Sequence, residues 1–382
     1  MSYSQVKTPR FYVDYVQYLN SMGVYADPDI AEDDGYWNIE SQSGDFIHSK
    51  IWGLSNYKPY VFGAGNDNTF NSAIISRHFS TWDSTNRMSG IMLFLEQCNY
   101  FAIFGHNLDK LDVTFGLRLT TFDPETSVTH NIHNKSLSAL YNISPSESHY
   151  VSSKNSGVSI CSFGGFGLSS DYHSHILISI ELLIKPNTTW DDIPNLVNIS
   201  SISVGRYFDM PMSPDLELSQ TTLYETKRHT TKGGKVLSKP VNMRRPNFGA
   251  TSQFDSSISN LARTGRKAWE LKYSLLKDTD IMGYNENSSM LFPESRGDYD
   301  TTQLNANQDK FNYALNGETN NTDFFSNVLH LTQGRLPFIF QPDNTSFGTS
   351  DFNICSFDQN SFEHRQVGFK TYETSLSITE SW

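Results

Sequence analysis

Asp171, His173 and His175 form the tightest metal-ligand pattern in the chain. On an extended segment residues two apart share a face, and two imidazoles with a carboxylate can hold Zn²⁺. The run lies where a polar loop becomes an apolar strand. Exposed histidines are ordinary there, and no metal is expected. Asp33-Asp34, Asp191-Asp192 and the spaced pair Asp278 and Asp280 are the residue types that glycoside hydrolysis needs when two carboxyl groups flank one sugar bond. In polar loops such acids more commonly stay solvated or cap backbone N–H groups. Cys161 stands between Ile160 and Ser162 with no neighbouring base, and the chain has no Gly-x-Ser-x-Gly elbow. The glycines of Gly63-Ala64-Gly65 and Gly164-Gly165-Phe166-Gly167 complete neither a dinucleotide fingerprint nor a phosphate loop. The expectation is a protein with no catalytic residues and no cofactor. Trp52, Trp82 and Trp190 fall near turns of the first half. Indoles in loops can stack on sugar rings, which makes these three candidate glycan contacts, although packing at a sheet rim is the commoner use of such residues.

Charge supplies the other candidate surface. The 382 residues include 41 Asp and Glu against 29 Lys and Arg, a net charge of −12, which argues against a nucleic-acid partner. The distribution is banded. Residues 227–272 hold 11 basic and only 2 acidic side chains. A basic band in an acidic chain suits contact with an acidic neighbour. Lys227, Arg228, Lys232, Arg244, Arg245, Arg263, Arg266 and Lys267 are therefore the candidate assembly residues. The competing reading is a solvated lysine-rich loop.

The elements that would position these residues read as strands. Aromatics make up 13% of the chain and charged residues only 18%, a mix that disfavours long helices and favours short strands joined by polar loops. Alternation predicts strands over Val113–Leu119, over 176–184, over 267–275 with Trp269, Leu271, Tyr273 and Leu275 on one face, and near Leu376 and Ile378. Residues 91–104 and Leu336–Gln341 are continuously apolar and read as fully buried strands. Gly233-Gly234 and Pro342-Asp343-Asn344 mark turns. Two helices are expected. One covers 9–22, with Thr8 as cap and a stripe of Phe11, Tyr15, Tyr18 and Met22; the other covers 323–333, with Thr322 as cap, Phe325, Val328 and Leu329 on one face, and Gly334 as stop. Cys98, Cys161 and Cys355 lie in apolar stretches and read as buried reduced thiols. No apolar run reaches the roughly 18–20 residues of a membrane span, so no membrane insertion is expected. A shift in charge near Gly205, followed by the Pro-rich Met210–Pro214, marks a boundary between two domains.

Several segments carry a family resemblance. Tyr100-Phe101-Ala102-Ile103-Phe104-Gly105-His106-Asn107-Leu108 resembles the strand-and-turn segment of discoidin-like, galactose-binding jelly rolls of phage structural proteins, and Val204–Pro211 resembles the segment that closes that domain. In the second half, Arg245-Pro246-Asn247-Phe248-Gly249, then Arg263–Leu271, Gly334–Phe340, Phe352–Phe357 and Gln366–Trp382, are similar in order to the barrel of distal tail proteins of long-tailed phages. The resemblance implies an all-β chain. Residues 1–205 would be a jelly-roll sandwich with a short N-terminal helix. Residues 206–382 would be a tail-ring β-barrel with short helices and a long polar insertion at 281–322. It also implies a function: a structural protein of the virion tail, made and assembled in the bacterial host cytoplasm. Such a protein forms a ring, usually of six copies, at the tail tip or baseplate. The ring meets tail-tube, hub or fibre proteins and serves as a platform for adhesion components. The alternative is a carbohydrate-binding tail adhesin that contacts host glycans through its jelly-roll loops.

Overall fold

The computed structural model describes residues 7–21, 37–41, 46–51, 60–62, 72–80, 95, 97–104, 113–123, 128–138, 150–152, 158–162, 175–184, 197–199, 201–216, 219–224, 226–239, 265–281, 323–346 and 351–381. Strands predominate. They are β1 (Arg10–Asp14), β2 (Trp37–Ser41), β3 (Phe46–Ile51), β4 (Tyr60–Phe62), β5 (Ser72–Ser80), β6 (Tyr100–Phe104) and β7 (Val113–Asp123). Next come β8 (Val128–Ser138), β9 (Tyr150–Ser152), β10 (Val158–Ser162), β11 (His175–Ile184), β12 (Val197–Ile199), β13 (Ser201–Asp209) and β14 (Ser219–Leu223). The last are β15 (Lys227–Thr230), β16 (Val236–Lys239), β17 (Arg266–Lys277), β18 (Phe338–Gln341), β19 (Asn353–Phe357), β20 (His364–Gly368) and β21 (Thr371–Glu380).

One eleven-stranded sheet runs β14-β17-β21-β19-β18-β1-β13-β6-β10-β9, with β20 beside β21. A second sheet has the order β3-β2-β5-β11-β7-β8, and β12-β4 and β15-β16 are separate pairs. Every strand pairing among the described residues is antiparallel. The described residues are thus mainly antiparallel β with few helices, as the composition predicts. Among the described residues no helix is long and apolar enough to cross a membrane.

The first element differs from expectation. The helix expected over 9–22 begins only at Tyr15 (α1, Tyr15–Ser21), and Arg10–Asp14 is a strand. All five residues of β1 are buried. Phe11 turns to one face, with its ring centroid 5.3 Å from Phe324, 5.5 Å from Phe338 and 5.3 Å from Phe340. Tyr12 turns to the other face, 5.0 Å from Tyr100 and 6.1 Å from Phe352. A strand buried on both faces shows no polar alternation, so a short apolar run of this kind cannot be told from a helix by periodicity. Pairing on both edges, with β13 and β18, decides the outcome. The cap is Asp14 rather than Thr8: its Oδ1 accepts the Gln17 N–H at 2.9 Å.

Position 205, read as the domain boundary, falls inside β13, and the large sheet carries strands from both halves of the chain. Gly205 lies opposite Asp14 in register. A Cβ there would lie 1.9 Å from the Val13 carbonyl oxygen, so only glycine lets these two backbones close.

In β17 the buried face is Trp269, Leu271 and Tyr273, as alternation predicts. The fourth expected member, Leu275, is 66% exposed. The register against β21 shifts between Tyr273 and Leu276, and this bulge turns Leu276 into the core instead. The helix expected over 323–333 is present as a π turn, Phe325–Leu329, followed by His330–Thr332. Asp323 accepts the Ser326 N–H at 2.7 Å at its start, and left-handed Gln333 and Gly334 end it. Val328 and Leu329 are buried as expected, with Phe324 in place of Phe325. Thr322 and residues 282–322 of the polar insertion lie outside the described residues.

Candidate assembly surface

The basic band divides into two structurally different groups. The first is a hairpin. β15 pairs with β16 from Lys227↔Lys239 to Thr230↔Val236. Its tip is set by local chemistry. Thr231 N–H donates to the Lys235 carbonyl at 2.9 Å, Gly234 N–H donates to the Thr231 carbonyl at 2.9 Å, and Lys235 N–H donates to the Thr231 hydroxyl at 3.2 Å. Gly234 takes φ +80°, which the turn requires and a Cβ would oppose. Lys227, Arg228 and Lys232 are all exposed here, as are Lys235 and the apolar Val236 and Leu237. Among the described residues none of these four cations has an ion-pair partner.

The second group belongs to the large sheet. Arg266 and Lys267 open β17 and are half-buried. The Lys267 backbone N–H donates to the buried Glu380 carboxylate at 2.7 Å, and its ammonium lies 6.0 Å from the Trp269 ring. The Lys267 backbone thus ties the start of β17 to the end of β21, whereas the hairpin cations are exposed to solvent. Arg244, Arg245 and Arg263 lie outside the described residues, as do Trp52, Trp82, Trp190, Asp171 and His173. His175 opens β11, opposite Ser80 and Phe122 in register. Cys98 and Cys355 are buried, and burial holds the Cys98 thiol well above its usual range.

The strand before the hairpin in the chain lies at a sheet edge. Among the described residues β14 is the last strand on its side of the large sheet, paired only with β17 and exposed along Ser219–Thr222. Asp215 extends this contact: its N–H donates to the Lys272 carbonyl at 2.7 Å, and its carboxylate accepts the Ser274 hydroxyl.

The sequence reading missed a charged seam at the centre of the large sheet. The Arg10 guanidinium pairs with Asp209 through two hydrogen bonds and lies 4.1 Å from the Tyr207 ring centroid. Burial opposes its charge, but the Asp209 carboxylate outweighs burial and keeps the group ionised. Asn344 reaches the same carboxylate at 3.2 Å, and Lys7 pairs with Asp343 at 3.0 Å. Residues 7–10 are thus laced onto the 341–346 turn and the end of β13. The available signal was the pair of charges flanking a short aromatic run in Arg10–Asp14. Its partners lie so far along the chain that no spacing rule connects them.

No protein-family model matches the chain, and no curated protein is significantly similar to it. The functional reading therefore rests on the residues and the surface they build.

Proposed function

We propose that the chain is a structural, non-enzymatic protein of a tailed-phage virion. Copies of it form a ring at the tail tip or baseplate, and the ring serves as a docking platform for adhesion components. One observation carries this reading: among the described residues a continuous antiparallel sheet, formed by both halves of the chain, ends in the exposed edge strand β14, and the next element is an exposed cationic hairpin paired separately from the sheet. A rigid slab with a free edge and a projecting arm suits repeated subunit contacts. The family resemblance of the 100–108 and 334–340 segments points the same way.

Electron microscopy of the purified full-length protein tests it. Closed rings with a constant subunit number, six by the resemblance, are expected. Particles that remain single subunits at every concentration and salt would overturn the reading.

A further inference from the structure

We infer that the hairpin Lys227–Lys239 is an inter-subunit arm whose occupant is the acidic surface of a second copy of this chain; the inference rests on the ring reading above. An isolated two-stranded hairpin is only marginally stable in water. Among the described residues this one pairs only with itself, and it exposes both of its faces. Val236 is 59% and Leu237 is 49% exposed, and the two point to opposite faces as neighbours on a strand. Its turn is well specified, so the tip holds its shape, but its faces gain no burial from the described residues of its own chain. Such an element becomes firmly ordered when a partner covers it.

Charge identifies that partner. The hairpin contains Lys227, Arg228, Lys232, Lys235 and Lys239, and none of the 41 Asp and Glu of the chain. The rest of the molecule is therefore strongly acidic, and among the described residues Asp358 and Glu363 are exposed on the connection between β19 and β20. Two such arms would repel each other across a two-fold axis. An arm resting on the acidic face of the next copy makes a head-to-tail contact, and contacts of this kind close into rings when the rotation allows. The exposed β14 edge immediately precedes the arm in the chain.

The test uses the full-length chain in sedimentation velocity over a concentration series at low and high salt. Two variants accompany it: K227E/R228E/K232E/K235E, which reverses the charge, and the matching quadruple Gln variant, which only removes it. All four positions are exposed, so the thermal melt of each is expected to match the wild type. If the Glu variant fails to fold, the Gln variant decides. The expected result is wild-type self-association that weakens with salt, a loss of at least about tenfold in association for the charge-reversed chain, and an intermediate loss for the Gln chain. Wild-type assembly by the Glu variant would overturn the arm and leave the ring reading standing. A wild-type chain that is monomeric throughout would overturn both. Arm-dependent binding to a double-stranded DNA probe, with self-association untouched, would reassign the arm to nucleic acid and also overturn the inference.

Discussion

The Arg10 guanidinium holds the Asp209 carboxylate through Nε at 2.6 Å and Nη2 at 2.8 Å, closing a pair between residues 199 positions apart. Arg10 is almost fully buried and Asp209 is partly open to solvent. The two residues are also register partners of β1 and β13. Removing the carboxylate charge leaves a buried cation short of its acceptor. Asp209→Asn is expected to cost about 1.5–3 kcal/mol, measured by urea denaturation. A double-mutant cycle with Arg10→Met should return a coupling of similar sign; additivity of the two single changes would show that the pair contributes nothing.

Phe11→Ala tests whether the two halves of the chain unfold together. Phe11 comes from the first described strand, yet its neighbours Phe324, Phe338 and Phe340 lie near the far end of the sequence. Truncation empties a fully buried aromatic site and is expected to cost about 3–5 kcal/mol. Proteolysis mapping at mild denaturant should show cleavage sites opening in both halves at the same concentration. Opening in one half alone would argue for two independent cores.

Gly205→Ala addresses the close approach of β13 to β1. The atoms nearest a new Cβ are the Val13 carbonyl and the Tyr15 nitrogen, both backbone, so no rotamer change can relieve the clash. A loss of about 2–5 kcal/mol is expected. A melting temperature equal to that of the wild type would refute the tight seam.

Asp14 makes stability depend on pH. Burial raises its carboxyl from 3.8 to about 7, while hydrogen bonds from Gln17, Ser203, Val16 and Val204 pull it down. The folded chain therefore holds this proton in a range where the unfolded chain has lost it. The contribution to stability is full below about pH 4, falls by about 1.4 kcal/mol per pH unit up to about pH 7, and is absent above. Asp14→Asn keeps the cap and cannot ionise. The variant should match the wild type in acid and exceed it at about pH 8, as read from denaturation curves at several pH values. A stability difference constant across that range would mean that Asp14 does not titrate with folding.

How far the sequence alone reached depended on how local each signal was. Alternation placed β17 and β21, because a strand with one buried face writes a period of two into its own residues. Gly233-Gly234 and Pro342-Asp343-Asn344 were legible as turns because their chemistry acts within a few residues. The basic band was legible as charge. Other features depended on partners far away in the chain. Only pairing with β13 and β18 makes Arg10–Asp14 a strand, and only the register against β21 puts Leu276 rather than Leu275 into the core. The three-dimensional arrangement also split the basic band. Arg266 and Lys267 open β17 and are half-buried, while Lys227, Arg228 and Lys232 stay exposed on the β15–β16 hairpin. Charge along a chain is set by composition, but its exposure is set by which strands close around it.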